Sequence, residues 1–266
     1  MEGWRKIKLA LVFLTVLALA GGAFAQTMPR QHIQFVEINV KAGAEGQFEE
    51  YIKKIIEAAD KVGAPQGWTF AQAAVGASAP TYYVVLEFDK WSERDSWEQI
   101  PQLLTTAFGE AEANKLMKVG GEATWGNESR VYSLDEERSW NLDKNARSPY
   151  YTIMRGKVKP DMVDEYQMVI SKIKEAQENA PVKRAGIRRQ ARFGPSWEFY
   201  SATPLSKWAD LDEEGNLWEN LAKTHGETEA RLLRKTLRSC YEEREFIVIA
   251  TRPDLSRQAP SETSNE

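Results

Sequence analysis

The 266-residue chain carries 35 Lys+Arg against 39 Asp+Glu, a net charge of −4, and a single cysteine. That length suits two domains of ordinary size, each able to bury a core. A mildly acidic chain without a basic block argues against nucleic acid as a partner, and one cysteine excludes an internal disulfide.

In chain order, the first 25 residues read as a targeting segment. Arg5, Lys6 and Lys8 form a basic n-region, Leu9 to Ala20 an apolar stretch, and Ala23-Phe24-Ala25 a small-residue cleavage site. The apolar stretch is short for a membrane span, and no cysteine follows it to take a lipid anchor. The expectation is a cleaved secretory signal, no stable membrane anchor afterwards, and a periplasmic or secreted protein. Without that segment the chain has 32 Lys+Arg and 38 Asp+Glu, a net charge of −6.

Phe35 to Val40 alternates as a half-buried strand does, and Lys41-Ala42-Gly43 breaks it. Phe48, Tyr51, Ile52, Ile55, Ile56 and Ala59 then fall at helical spacing, ended by Gly63-Ala64-Pro65. Trp68 to Val75 and Thr81 to Phe88 are strand-like, with a turn between them. A helical region from about Ser92 to Lys118 follows, interrupted near Pro101, and Trp125 to Leu134 closes the unit as a strand. The order is β-α-β-β-α-β, the split βαβ of ferredoxin-like domains.

Asp135 to Ser148 is polar and reads as a linker, after which the same order returns. Tyr150 to Val158 is a strand, and Val163, Tyr166, Ile170 and Ile173 mark a helix stripe. Lys183 to Phe193 and Ser196 to Thr203 form a hairpin, Ser206 to Ser239 is helical with breaks, and Glu245 to Thr251 is the last strand. Direct matches support a duplication. GEAEANKL (Gly109 to Leu116) recurs as GETEARLL (Gly226 to Leu233), Glu50-Tyr51 as Glu165-Tyr166, and Lys90-Trp91 as Lys207-Trp208. A period of this length means two whole domains. They are expected at residues 31–134 and 149–252, with a disordered tail over 253–266.

A ferredoxin-like sheet has helices on one face only, and a second such sheet is the simplest cover for the other. On this order and duplication the chain resembles the dimeric α/β-barrel superfamily, which includes antibiotic-biosynthesis-type monooxygenases and NIPSNAP-like proteins. The resemblance implies an α+β fold of two tandem ferredoxin-like domains that form one pseudo-dimeric barrel. A homo-oligomer is left open.

Strand alternation assigns the faces. With Val36, Ile38, Val40 and Tyr82, Val84, Leu86 turned to the helices, Phe35, Glu37, Asn39, Tyr83 and Glu87 face the barrel. The same register in the second repeat turns Tyr150, Met154, Glu198 and Tyr200 inward, with Arg188 and Arg192 from the segment GIRRQARF. This aromatic lining with a few polar groups suits a small, largely apolar ligand bound in the barrel between the domains. In a second reading Glu37 or Glu87 is a general base and Asn39, Arg188 or Arg192 positions the substrate of a cofactor-independent monooxygenase or isomerase. The same carboxylates also suit an ion-pair network that seals the two sheets, which would be a structural or interaction role.

No His/Asp/Glu set has ligand spacing, and no cofactor is expected from the motifs. Haem-binding members of the superfamily hold iron through a histidine on a C-terminal-domain helix. That makes His225 the axial candidate if haem is bound, with Arg188 or Arg192 as distal partner. His225 also lies on the stripe of Trp218 and Leu221, where a partly buried core position is the simpler account. Cys240 has no base near it in sequence and reads as a structural thiol.

Overall fold

The computed structural model describes residues 28–77, 80–144, 147–212 and 216–260. The expected signal segment, 1–25, lies outside them. The first half runs β1 (His32–Val40), α1 (Glu45–Val62), β2 (Thr69–Val75), β3 (Thr81–Phe88), α2 (Ile100–Phe108), α3 (Glu110–Ala123) and β4 (Thr124–Leu134). The second runs β5 (Tyr150–Val158), α4 (Val163–Glu178), β6 (Ile187–Phe193), β7 (Glu198–Leu205), α5 (Asn216–His225), α6 (Glu227–Cys240) and β8 (Tyr241–Thr251).

The eight strands form one closed antiparallel barrel in the order β1-β3-β2-β8-β5-β7-β6-β4. Each half contributes four adjacent strands. The seams are β2 with β8 and β4 with β6, so strands that would be edges in either half are paired across the halves. Helices cover the outside. Phe48, Ile52, Ile55, Ala58 and Ala59 of α1 are buried, and so are Tyr166, Val169, Ile170, Ile173 and Ala176 of α4. The result is three apolar clusters: one under the helices of each half, and one inside the barrel.

The second helical region of each half is two helices meeting at a glycine. In the first half the region is also interrupted near Pro101, as expected, over residues 97–99 after a 3-10 turn at Trp91–Ser96; Pro101 itself sits in the first turn of α2, where a missing N–H costs nothing. The break common to both halves falls at Gly109, matched by Gly226, with φ of 83° and 87° that an L side chain rarely adopts. The shared GE-x-EA motif is therefore a backbone requirement at that joint.

The segment after Thr251 corrects the expectation of a disordered tail. Pro253–Leu255 form a 3-10 turn, Leu255 is fully buried in the first-half core, and Arg257 bridges to the backbone of Trp68. Trp68 Nε1 donates to the Leu255 carbonyl at 3.1 Å, and Arg257 Nε pairs with Asp60 at 2.7 Å. Composition hid this, because two anchoring side chains among polar residues suffice. The linker is anchored in the same way: Trp140 is buried against Gly186, where an added Cβ would lie 2.1 Å from the indole ring. Residues 261–266 lie outside the described set.

Candidate functional site

The interior of the barrel is occupied by its own side chains. Phe35, Tyr83, Tyr132 and Tyr200 are all buried. Phe35 lies 5.1 Å from Tyr83 and 5.5 Å from Tyr200 between ring centroids, and Tyr132 lies 5.2 Å from Tyr200. These aromatics fill the middle where a ligand was expected. On one side of them Glu37 accepts a hydrogen bond from Arg155 at 2.7 Å, and Arg155 also donates to Glu245 at 2.5 Å. Burial alone would lower the Arg155 pKa, but Glu37 and Glu245 outweigh it and push the guanidinium further up, so it stays charged. Glu198 accepts from the Tyr132 hydroxyl and lies 3.3 Å from Arg130. Burial and then Glu198 hold that phenol above its ordinary range. On the other side of the aromatics, buried Arg189 donates to the carbonyls of Arg30 and Gln31. Charges buried between the sheets are thus paired or capped.

Phe35, Glu37, Tyr83, Glu198 and Tyr200 face the barrel as expected. Glu37 is already bound to Arg155. Asn39 accepts from Thr81 at 3.1 Å, and Glu87 is exposed. Four other residues are corrected. In β5 the strand register pairs Ile153 with Ala202 and Arg155 with Tyr200, so Tyr151, Ile153 and Arg155 point inward while Tyr150 and Met154 point outward. In β6 Arg189 pairs with Tyr200 and faces in, leaving Arg188 outside and Arg192 exposed. Tyr150 packs on Trp208 at 5.1 Å. Both faces of β5 are apolar, because helices cover one and the barrel interior covers the other, so alternation there carries no sign.

Met154 and Arg188 instead line a cavity of about 640 Å³ on the other face of the sheet, beneath the helices of the second half. Thr152, Met154, Ser201, Thr203 and Val248 form its sheet wall, and Ile170, Ile173, Gln177, Leu217, Trp218 and Leu237 its helix wall. The equivalent layer of the first half holds Phe48, Phe70 and Tyr82 in mutual ring contact at 5.0–6.1 Å. Shorter side chains on β5 and β7 leave the second half open.

The cavity has an apolar body and a cationic boundary. Arg184, Arg188, Arg234, Arg238 and Arg244 line it, and among the described residues no carboxylate or imidazole does. Arg188 lies over Trp140 at 4.7 Å from the ring centroid and donates to the Ser201 hydroxyl. Arg188 Nε and Gln177 Nε2 are buried without a hydrogen-bond partner among the described residues. Two such polar atoms on the wall of one cavity suit a polar ligand, since they are costly to leave unpaired. Burial holds the Tyr241 phenol above its ordinary value, so it is a donor near neutrality. Val75, Val182 and Phe246, each more than half exposed, supply apolar surface at the same cavity.

The alternation pattern pointed to Met154 and Arg188 but placed them on the wrong face. Trp218 is read from the sequence only as part of a core stripe, and Trp140, Gln177 and Tyr241 are not singled out by it. Their one available signal was a tryptophan inside an otherwise polar linker.

A haem held by histidine does not fit. His225 ends α5 outside the cavity lining, with its Nε2 3.2 Å from the Lys172 carbonyl oxygen and 3.7 Å from Glu175. Among the described residues no group of three or more His, Cys, Asp or Glu could hold a metal ion. No described helix is long and apolar enough to cross a membrane. Cys240 is fully buried in the second-half core.

No protein-family model and no curated protein sequence matches the chain. Solved structures do match in fold. An anthrone oxidase-like protein aligns with a TM-score of 0.54 at 13% identity, covering 89% of this chain and 97% of that one. A protein from Lactobacillus acidophilus NCFM named as a monooxygenase gives 0.50 at 10% identity, over 86% and 97%. A variant chlorite dismutase from Candidatus Nitrospira defluvii in complex with cyanide gives 0.51 at 10% identity, over 86% and 93%. Identities this low show the shared barrel fold alone.

Proposed function

We propose that the protein is an enzyme of the cofactor-independent oxygenase or isomerase type. Its substrate is a largely apolar molecule with an acidic group, and its site is the helix-covered cavity of the second half. The observation that carries this reading is the wall itself, which has an apolar body bordered by donors and cations and, among the described residues, no carboxylate. Arg188 is the group placed to stabilise a developing phenolate or enolate, and protonated Tyr241 to hydrogen-bond it. With no carboxylate or imidazole in the described lining, ionisation rests on the substrate's own acidity beside the guanidinium, and the proton passes to solvent water. The resulting anion is the species that reacts with dioxygen or regains its proton elsewhere. The fold neighbours named for oxidase and monooxygenase activity favour this class. We take the two halves to be a tandem duplication in which the second alone kept an open site, and the N-terminal segment to direct export.

Anthrone tests the reading. Oxygen uptake is expected with the natural sequence, and Arg188→Gln should lower kcat by about 100-fold with little change in KM, the loss of one oxyanion donor. Binding without uptake would support a second reading, a binding protein, which the missing general base favours. Neither uptake nor binding would remove both.

A further inference from the structure

Helix α6 carries Arg231, Arg234, Lys235 and Arg238, spaced i, i+3, i+4 and i+7, which places them along one face. They line a shallow groove of about 360 Å³. Arg234 and Arg238 also line the large cavity, so the two spaces are contiguous through shared side chains. None of the four has an ion pair or a side-chain hydrogen bond among the described residues. Arg234 alone has a recorded contact, its guanidinium 5.2 Å from the Trp218 ring centroid.

The matching helix of the first half behaves differently. In the register of GEAEANKL and GETEARLL, the four positions are Asn114, Met117, Lys118 and Gly121. The one cation among them, Lys118, lies 3.8 Å from Glu122, and neighbouring Lys115 lies 3.6 Å from Glu112. Of these two helices, the one that borders the open cavity carries the cationic face without ion pairs among the described residues. Four like charges along one face repel one another, and a polyanion removes that repulsion.

We infer that the cavity's ligand carries a phosphate-type polyanionic head, a diphosphate or a group of similar charge. The head lies on Arg231, Arg234, Lys235 and Arg238 while the apolar body fills the cavity. This rests on the reading of the cavity as the substrate site. Arginine suits the head because its planar fork bonds two phosphate oxygens at once. The shared residues Arg234 and Arg238 stand where body and head would join.

Titration of geranyl diphosphate, geranyl monophosphate and geranoic acid into the full chain is the test. Affinity should rise from acid to monophosphate to diphosphate, with the diphosphate about tenfold or more tighter than the acid. The double variant Arg231→Gln/Lys235→Gln touches only exposed side chains outside the cavity. It should erase that order and leave geranoic acid binding unchanged. Equal affinity for the three probes would overturn the inference and leave the cavity reading standing. Inorganic diphosphate that binds as tightly as geranyl diphosphate, or diphosphate binding that saturating geranoic acid does not compete, would also overturn it, since head and body would then be separate sites. Failure of geranoic acid to bind, with diphosphate affinity unchanged in Met154→Trp, would instead remove the cavity reading beneath it.

Discussion

Arg155 shows how a single residue decides what the barrel is for. Its side chain is 9% exposed, between Glu37 and Glu245, and its guanidinium lies 5.7 Å from the Phe35 ring centroid. A carboxylate held in such a cluster ties together sheets from opposite halves. Arg155→Met should lower stability by about 3–5 kcal/mol in urea unfolding, because it strands a buried carboxylate. Adding Glu37→Leu should recover part of that loss. A change under about 1 kcal/mol in the single variant would mean the cluster is solvated. Arg188, one strand position from the barrel-facing Arg189, shows the converse. Parity alone separates an arginine that caps backbone carbonyls from one that lines a cavity.

Among the elements, the C-terminal segment matters more than its polar sequence suggests. Arg252, which follows β8, bonds Glu49 of α1 through both its amino groups, at 2.6 and 2.9 Å, and so ties the last strand to the first helix. The bond to Arg252 holds the Glu49 carboxyl below its ordinary value of 4.5, against an opposing effect of burial and with help from Tyr82. A lowered carboxylate pKa contributes stability that is fully present above the ordinary value and is lost as the pH falls through the lowered one. Glu49→Gln should therefore cost roughly 1–2 kcal/mol at pH 7. The gap to the natural sequence should close as the pH falls through that lowered value, as read from denaturation curves over an acid pH series. A gap that persists in acid would mean that packing, and not charge, holds the segment. Elements with strong periodicity were legible beforehand: Tyr150–Val158 is found as expected, and the Phe48 to Ala59 stripe is the buried face of α1. The start of β8 at Tyr241 was not, because Glu242, Glu243 and Arg244 are charged and a register shift opposite Lys157 and Val158 breaks the alternation between Tyr241 and Phe246.

On the scale of the molecule, the seams β2–β8 and β4–β6 make one barrel of two halves. Either half alone would expose both of those strands as unpaired edges above an uncovered apolar face. Residues 28–134 expressed alone should therefore self-associate in sedimentation velocity. A stable monomer would show that the halves are independent domains that only touch.

The sequence by itself determined the element order, the recurrence of that order, and the barrel face of the first half, where Glu37 and Asn39 alternate with Val36, Ile38 and Val40. These follow from local periodicity, which a chain carries wherever one face of a strand is marked. The tertiary structure alone decided that the barrel is filled, that Met154 and Arg188 lie under the helices, and that the cavity opens in the second half. Those outcomes depend on side-chain volumes meeting across elements distant in the chain. The aromatics of β1, β3, β4 and β7 converge on one axis, while Thr152, Ser201 and Thr203 stop short of α4 and α5. On a sheet buried on both faces, alternation says which residues share a side but not which side is the barrel.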